Sequence, residues 1–207
     1  AHAVVTAAGE VVAERTRQVD VLAGNTPNAP SATPVPVVSP IEITRGDLGR
    51  QYIGAVVQRA QGTPLADAAR RAAEGRWEEV DLALLRVTAD KTAAASALRG
   101  LAMFVREEYA GAARALQTAL EADSNALSAF FLGWAQDGAG NTRGALSAWR
   151  TAAHLDPSLV SAHLALADGY LKLSEPALAI QALRAGLAAL PASQELQTRL
   201  RQLEQGR

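Results

Sequence analysis

The stretch that decides the fold is Ala126–Pro157, which reads ALSAFFLGWAQDGAGNTRGALSAWRTAAHLDP. Its first part spaces apolar residues along one face of a helix, the segment DGAGNT interrupts that pattern, and a second apolar stripe follows. Pro157 ends the second stripe, because proline lacks a backbone N–H and clashes inside a helix. The stretch therefore predicts two helices joined by a short turn.

The same plan returns 34 residues later in Val160–Pro191, which reads VSAHLALADGYLKLSEPALAIQALRAGLAALP. Weaker copies precede both, in GRWEEVDLALLR and in EEYAGAARALQTALEADS. A helical hairpin of this size cannot bury its own apolar face, so such units are stable only as a stack. We therefore predict a mainly α fold, an α-solenoid with about four helical hairpins over 63–192, of which the first two are degenerate.

Two further helices are predicted to flank the hairpins. Residues 41–62 have helical periodicity and form an N-terminal helix. Residues 193–207 carry one narrow apolar stripe, formed by Leu196, Leu200 and Leu203, among Gln, Arg and Glu. A solenoid needs an end helix with one polar face to stop growing, so this segment is predicted to cap the stack.

The first forty residues differ in composition from the rest. Five of the nine prolines lie within 25–40, which predicts an extended linker. Residues 1–24 are rich in Val and Thr around a turn-like Ala8-Gly9, and they predict a β-hairpin, the remnant of a truncated β domain. The chain begins with Ala1 rather than Met, so we expect a segment before it. The sequence leaves localisation undecided, with an extracytoplasmic location open.

Composition and spacing exclude several classes of function. The net charge is −1, without the clustered basic excess that nucleic acids require, and no apolar run reaches the roughly 18–20 residues of a membrane span. The chain has no cysteine, and its three histidines lack metal-ligand spacing. Ser161 and His163 point apart on one helix, so they form no triad with Asp168. We predict no catalytic residue, cofactor, metal, nucleic-acid binding or membrane insertion. Oligomeric state is not indicated.

Residues 126–191 resemble two tetratricopeptide repeats. The positions that match the family's pattern are Leu132, Gly133, Ala145, Trp149, Ala152 and Pro157, then Leu166, Ala167, Tyr170, Ala179, Leu183 and Pro191. The resemblance implies that first helices line a concave groove for a protein or peptide. The groove positions that it carries over are Leu127, Phe130, Trp134, Asp137, Leu164, Asp168, Leu171, Leu101 and Phe104. More faintly, the chain resembles the C-terminal part of bacterial secreted proteins with a von Willebrand factor A-like domain.

These groove positions suggest how a partner would be held. Phe130 and Trp134 are four residues apart on one helix, and we expect them to anchor a partner without packing in the core. Asp137 and Asp168 are expected to add negative charge, which favours a ligand with Arg or Lys.

The predicted function is therefore a non-catalytic protein-binding scaffold. The alternative is a structural spacer or anchoring tail of a larger extracytoplasmic bacterial protein. The alternative gains weight if the chain's own residues 47–60 cover the groove.

Overall fold

The computed structural model describes residues 39–87 and 92–206, and all of these belong to one compact unit. Its α-helices over these residues are α1 (Pro40–Arg45), α2 (Asp47–Ala60), α3 (Ala66–Ala73), α4 (Trp77–Leu84), α5 (Ala93–Val105), α6 (Tyr109–Ala122), α7 (Ala126–Gly138), α8 (Thr142–Leu155), α9 (Val160–Lys172), α10 (Pro176–Ala189) and α11 (Gln194–Gln205). A short 3₁₀ turn follows α4 at Leu85–Val87. No strand occurs in residues 39–87 or 92–206. The prediction of a mainly α solenoid is confirmed.

The predicted β-hairpin at 1–24 and most of the predicted linker at 25–40 lie outside the described residues. The last two linker residues instead begin α1. Ser39 accepts a hydrogen bond from the backbone N–H of Glu42, and the Glu42 carboxylate accepts one from the backbone N–H of Ser39. Pro40 takes the first helical position, where its missing N–H costs nothing.

Short polar residues start several of the repeat helices. Asn125, Asn141 and Ser193 precede α7, α8 and α11, and each side chain accepts a hydrogen bond from a free backbone N–H of the first turn. Such caps satisfy donors that have no partner inside the helix. These capping residues therefore fix where α7, α8 and α11 begin.

Small residues let the two helices of a hairpin approach closely. A Cβ on Gly133 would lie 2.2 Å from Nε1 of Trp149, so only glycine lets the indole of α8 lie against α7. The same indole donates a hydrogen bond to the backbone carbonyl of Phe130 over 3.2 Å. The contact explains why the pattern places a glycine in the first helix opposite an aromatic residue in the second.

The core consists of two apolar clusters. The larger runs from α2 to α10, and a smaller one joins Ala167, Ala179, Leu183 and Leu196. Leu196 of α11 is fully buried there, while Leu200 and Leu203 of the same helix are half-buried. The polar residues of α11 are exposed except Arg199, which is half-buried, so the helix has one apolar and one polar face.

The segment predicted as one N-terminal helix at 41–62 forms two helices, α1 and α2. The chain bends at Gly46, which ends α1 and begins α2. A Cβ on Gly49 would lie 2.0 Å from the carbonyl oxygen of Thr44, so the bend is too tight for any side chain there. Both helices pack against α5, and α2 also contacts α3 and α7. The bend therefore lays α2 across the first helices of neighbouring hairpins.

Candidate partner-binding groove

The groove positions lie on one side of the stack, which we call the first-helix face and define as the inner sides of α5, α7, α9 and α11. Helices α7, α9 and α11 begin at Ala126, Val160 and Gln194, which are 34 residues apart in each case. Contacts join α5 to α7 and α9 to α11. We call its part on α5 and α7 the N-terminal half and its part on α9 and α11 the C-terminal half.

Helix α2 covers the N-terminal half. The ring of Tyr52 stacks on that of Phe131 in α7, with 5.3 Å between centroids and 15° between planes. The Tyr52 hydroxyl shares a 2.7 Å hydrogen bond with that of Ser128. Arg59 forms an ion pair of 2.6 Å with Asp123, just before α7. Burial raises the pKa of Tyr52 to about 12, so the phenol is neutral in the folded chain.

Leu101 and Phe104, which the resemblance assigns to the groove, lie in the core beneath this cover. Leu101 is 0% exposed and Phe104 is 1% exposed. The ring of Phe104 meets the rings of Phe131 and Tyr109 edge to face. Both residues lie on α5, against which α1 and α2 pack, so neither offers surface to a partner in this arrangement.

The expectation that Phe130 and Trp134 are free of packing is wrong. Phe130 is 4% exposed, and Trp134 is half-buried. The ring of Trp134 lies edge to face with that of Trp149, 5.6 Å between centroids, and with that of Phe130 at 6.4 Å. Because Gly133 brings Trp149 so close to α7, its indole also reaches the next residue, Trp134. Leu127, one turn earlier, is buried as well.

The expected negative charge of the groove is balanced within the chain. Lys172 Nζ lies 2.5 Å from a carboxylate oxygen of Asp137, whose side chain is 9% exposed. Thr142 donates a hydrogen bond to the other oxygen of Asp137. A guanidinium nitrogen of Arg199 likewise lies 2.5 Å from a carboxylate oxygen of Asp168. The two acids therefore join neighbouring helices across the face, and they give a ligand little free charge to bind.

No helix within residues 39–87 or 92–206 covers the C-terminal half of the face. A cavity of ≈ 420 Å³ lies between α9 and α11. It is lined by Leu164, Gln194, Glu195, Thr198, Arg199 and Gln202. Leu164 and Leu171 of α9 are half-buried, so part of each apolar side chain faces solvent. Of the residues that the resemblance assigns to the groove, Leu164 lines this cavity.

The residues of α11 in this cavity were missed from the sequence, although a signal for them exists. Gln194 lies 34 residues after Val160, so α11 continues the phase of the repeat. Glu195, Thr198 and Gln202 then occupy the same positions in α11 as Leu127, Phe130 and Trp134 do in α7. The sequence prediction gave α11 only a capping role, whereas its residues also line the cavity.

Residues 39–87 and 92–206 were predicted to hold no metal site and no membrane span. No group of three or more His, Asp or Glu side chains is placed there to hold a metal ion. None of the helices described in that part is both long and apolar enough to cross a membrane.

Solved structures with the same fold include several of MamA. A crystal structure of MamA is 21% identical with a TM-score of 0.57, over 71% of this chain and 91% of that one. MamA 41-end from Desulfovibrio magneticus RS-1 is 17% identical with a TM-score of 0.58, over 74% and 91%. A chain of the APC/C hetero-tetramer Cut9-Hcn1 is 21% identical with a TM-score of 0.57, over 74% of this chain and 32% of that one.

These similarities support a tetratricopeptide-type α-solenoid. No known family model and no curated protein matches the chain. Nothing in the comparisons supports the fainter resemblance to bacterial proteins with a von Willebrand factor A-like domain.

Proposed function

We propose that the chain is a non-catalytic scaffold that holds a protein or peptide on the C-terminal half of its first-helix face. The observation behind the proposal is the cavity between α9 and α11, which no helix of the described residues covers, whereas α2 covers the other half of the same face. The fold supports it too, because stacked helical hairpins present extended surfaces for other chains. One structure of similar fold, Cut9-Hcn1, is itself an assembly of protein chains.

The lining of the cavity indicates the chemistry of the partner. Leu164 supplies an apolar contact, and Thr198 and Gln202 supply hydrogen-bonding groups without charge. Arg199 is already paired with Asp168. We therefore propose that an apolar side chain of the partner enters beside Leu164 and that polar groups of the partner bond to α11. Glu195 is the exposed charged group of this lining, so a basic group of the partner near it should add a salt-dependent part to the affinity.

Crosslinking from inside the cavity, followed by affinity measurement, tests the proposal. A photoreactive amino acid replaces Leu164 in one chain and Leu178 in a control chain. Leu178 is a suitable control because it is 38% exposed on α10, away from the groove positions. A protein that crosslinks from position 164 and not from position 178 is then purified for titration.

The titration uses Leu164→Glu and Leu178→Glu. We expect Leu164→Glu to weaken binding by about tenfold or more, because it places a charge in the apolar contact, whereas Leu178→Glu leaves Kd unchanged. Equal affinity of the two variants would exclude the cavity as the binding site.

A spacer or anchoring role is the second candidate function. The packing of Phe130 and Trp134 into the core favours it, because these aromatic residues then serve the stack rather than a ligand. A spacer needs no accessible groove. It predicts that no protein crosslinks from position 164 in preference to position 178.

A further inference from the structure

Helix α2 is amphipathic with one buried face. Tyr52, Ile53, Val56 and Ala60 are at most 6% exposed. Arg50, Gln51, Gly54 and Gln58 on its other side are exposed. This is the pattern of a helix that lies in a groove, with anchors about one turn apart on a single face.

The side chains that hold α2 on α7 are specific in kind. Tyr52 combines a flat ring stack on Phe131 with a hydrogen bond from its tip to Ser128. Seven residues later, on the same face, Arg59 pairs with Asp123. The contact therefore has an apolar centre, one hydroxyl pair within it and one ion pair at its edge, as interfaces between separate proteins often do.

The connections at both ends of α2 are short and non-helical. Gly46 separates it from α1, and residues 61–65 separate it from α3, with Gly62 in a left-handed conformation at φ 72°. Helix α2 packs chiefly against α1 and α3, and it also reaches α5 and α7 across the first-helix face. It occupies the surface that the repeats elsewhere leave open.

We propose that the N-terminal half of the first-helix face is a binding site for an amphipathic helix, and that α2 is its built-in occupant. The proposal deepens the proposed function, since it concerns the same face, and it adds a second class of partner. A partner helix that offers the same side chains displaces α2. Such a helix carries a tyrosine, aliphatic residues one and four positions later, and a cation seven positions later.

Displacement in trans tests this with the full chain. The probe is a labelled peptide of residues 39–61. The receptor is the chain with Tyr52→Ala and Val56→Asp, which removes two buried anchors from its own α2. We expect the peptide to bind this variant at least about tenfold more tightly than the unmodified chain, because the unmodified site is occupied. A peptide with Gln51→Ala and Gln58→Ala, changed only on the exposed face, should bind equally well.

A charge exchange distinguishes specific binding at this site from nonspecific binding of the peptide. Adding Asp123→Lys to the receptor should weaken the normal peptide by about threefold, and Arg59→Glu in the peptide should restore the loss, since the pair is partly exposed. Failure of the peptide to bind a folded receptor, or binding that ignores the charge exchange, overturns the proposal. Both results are independent of crosslinking at position 164, so they do not decide the proposed function of the C-terminal half.

Hydrogen exchange of the unmodified chain decides the matter if the receptor variant does not fold. A displaceable α2 opens on its own, so we expect amides of 49–60 to exchange at least about tenfold faster than those of α7. Exchange of both helices only by unfolding of the whole stack would show that α2 is a permanent part of the core.

Discussion

The two halves of the first-helix face have the same repeat geometry and opposite surroundings. On α5 and α7 the face is aromatic, dry and covered by α2, with Leu101 and Phe104 at most 1% exposed. On α9 and α11 it is polar, crossed by the ion pair of Asp168 with Arg199, and open as a cavity. The repeat therefore determines where a groove forms, and the segments outside the repeat determine whether it is free.

The difference has a physical cause in the residues at equivalent positions. Helix α7 presents Phe130 and Phe131, which must be buried, and α2 supplies the cover for Phe131. Helix α11 presents Glu195, Thr198 and Gln202, which remain hydrated without a cover. The apolar side chains of α7 thus need a cover from outside the repeats, whereas the polar side chains of α11 do not.

Tyr52→Ala should have the largest effect on this comparison. It removes a fully buried ring and leaves the Ser128 hydroxyl without its partner, so we expect unfolding free energy to fall by about 3–5 kcal/mol. Urea denaturation followed by circular dichroism measures the loss. A loss below about 1 kcal/mol would mean that α2 does not cover the face in solution.

Deleting 193–207 should have the next largest effect and act on the other half. Leu196 is fully buried and its loss costs about 1.5–3 kcal/mol, to which the half-buried Leu200 and Leu203 add, less the entropy that the freed helix regains. We expect a lower melting temperature and reduced solubility, as the smaller cluster is exposed. An unchanged melting temperature would show that α11 is not docked.

Alkaline pH should weaken the covered half selectively. The pKa of Tyr52 is 10.0 in its ordinary state and about 12 when buried, so the unfolded chain loses this proton first. The contribution of the neutral Tyr52 phenol to the free energy of unfolding is complete below pH 10. It falls by on the order of 2 kcal/mol as the pH rises toward 12.

The control for this pH dependence is Tyr52→Phe, which keeps the ring stack and cannot ionise at this position. Thermal melts of both chains from pH 9 to pH 12 are compared. We expect the decline of the unmodified chain to exceed that of Tyr52→Phe, and parallel curves would contradict the burial of the phenol.

Leu164→Ala should have the smallest effect of the four. The side chain is half-buried beside the cavity, so a truncation costs less than about 1 kcal/mol and leaves the fold intact. The matched change in the covered half is Leu101→Ala, for which about 2–5 kcal/mol is expected, since that side chain is fully buried. Equal losses of unfolding free energy for Leu164→Ala and Leu101→Ala in denaturation curves would contradict the distinction between the two halves.

The fold was predictable because it depends on local patterns that recur. Pro157 and Pro191 mark the ends of hairpins, and the pairing of Gly133 with Trp149 follows from positions that the repeat fixes. The docked face of α11 also followed from its three leucines, of which Leu196 is fully buried.

The cover over the groove was not predictable, because it depends on contacts between residues that are distant in the sequence. Nothing in the repeat links Tyr52 to Ser128, which lie 76 positions apart. The link between Asp137 and Lys172, 35 positions apart, could have been inferred from the repeat. The prediction did not include this ion pair, because it considered each groove acid only within its own helix.

The central claim, that one half of the face is covered and the other open, has a direct test because the chain contains no cysteine. Leu101→Cys and Leu164→Cys each introduce a single thiol, and their rates of reaction with a maleimide are compared under native and denaturing conditions. We predict that the thiol at 164 reacts in the folded chain nearly as fast as in the unfolded one. The thiol at 101 should react at least about tenfold more slowly in the folded chain than in the unfolded one. Equal reactivity at the two positions in the folded chain would contradict the claim.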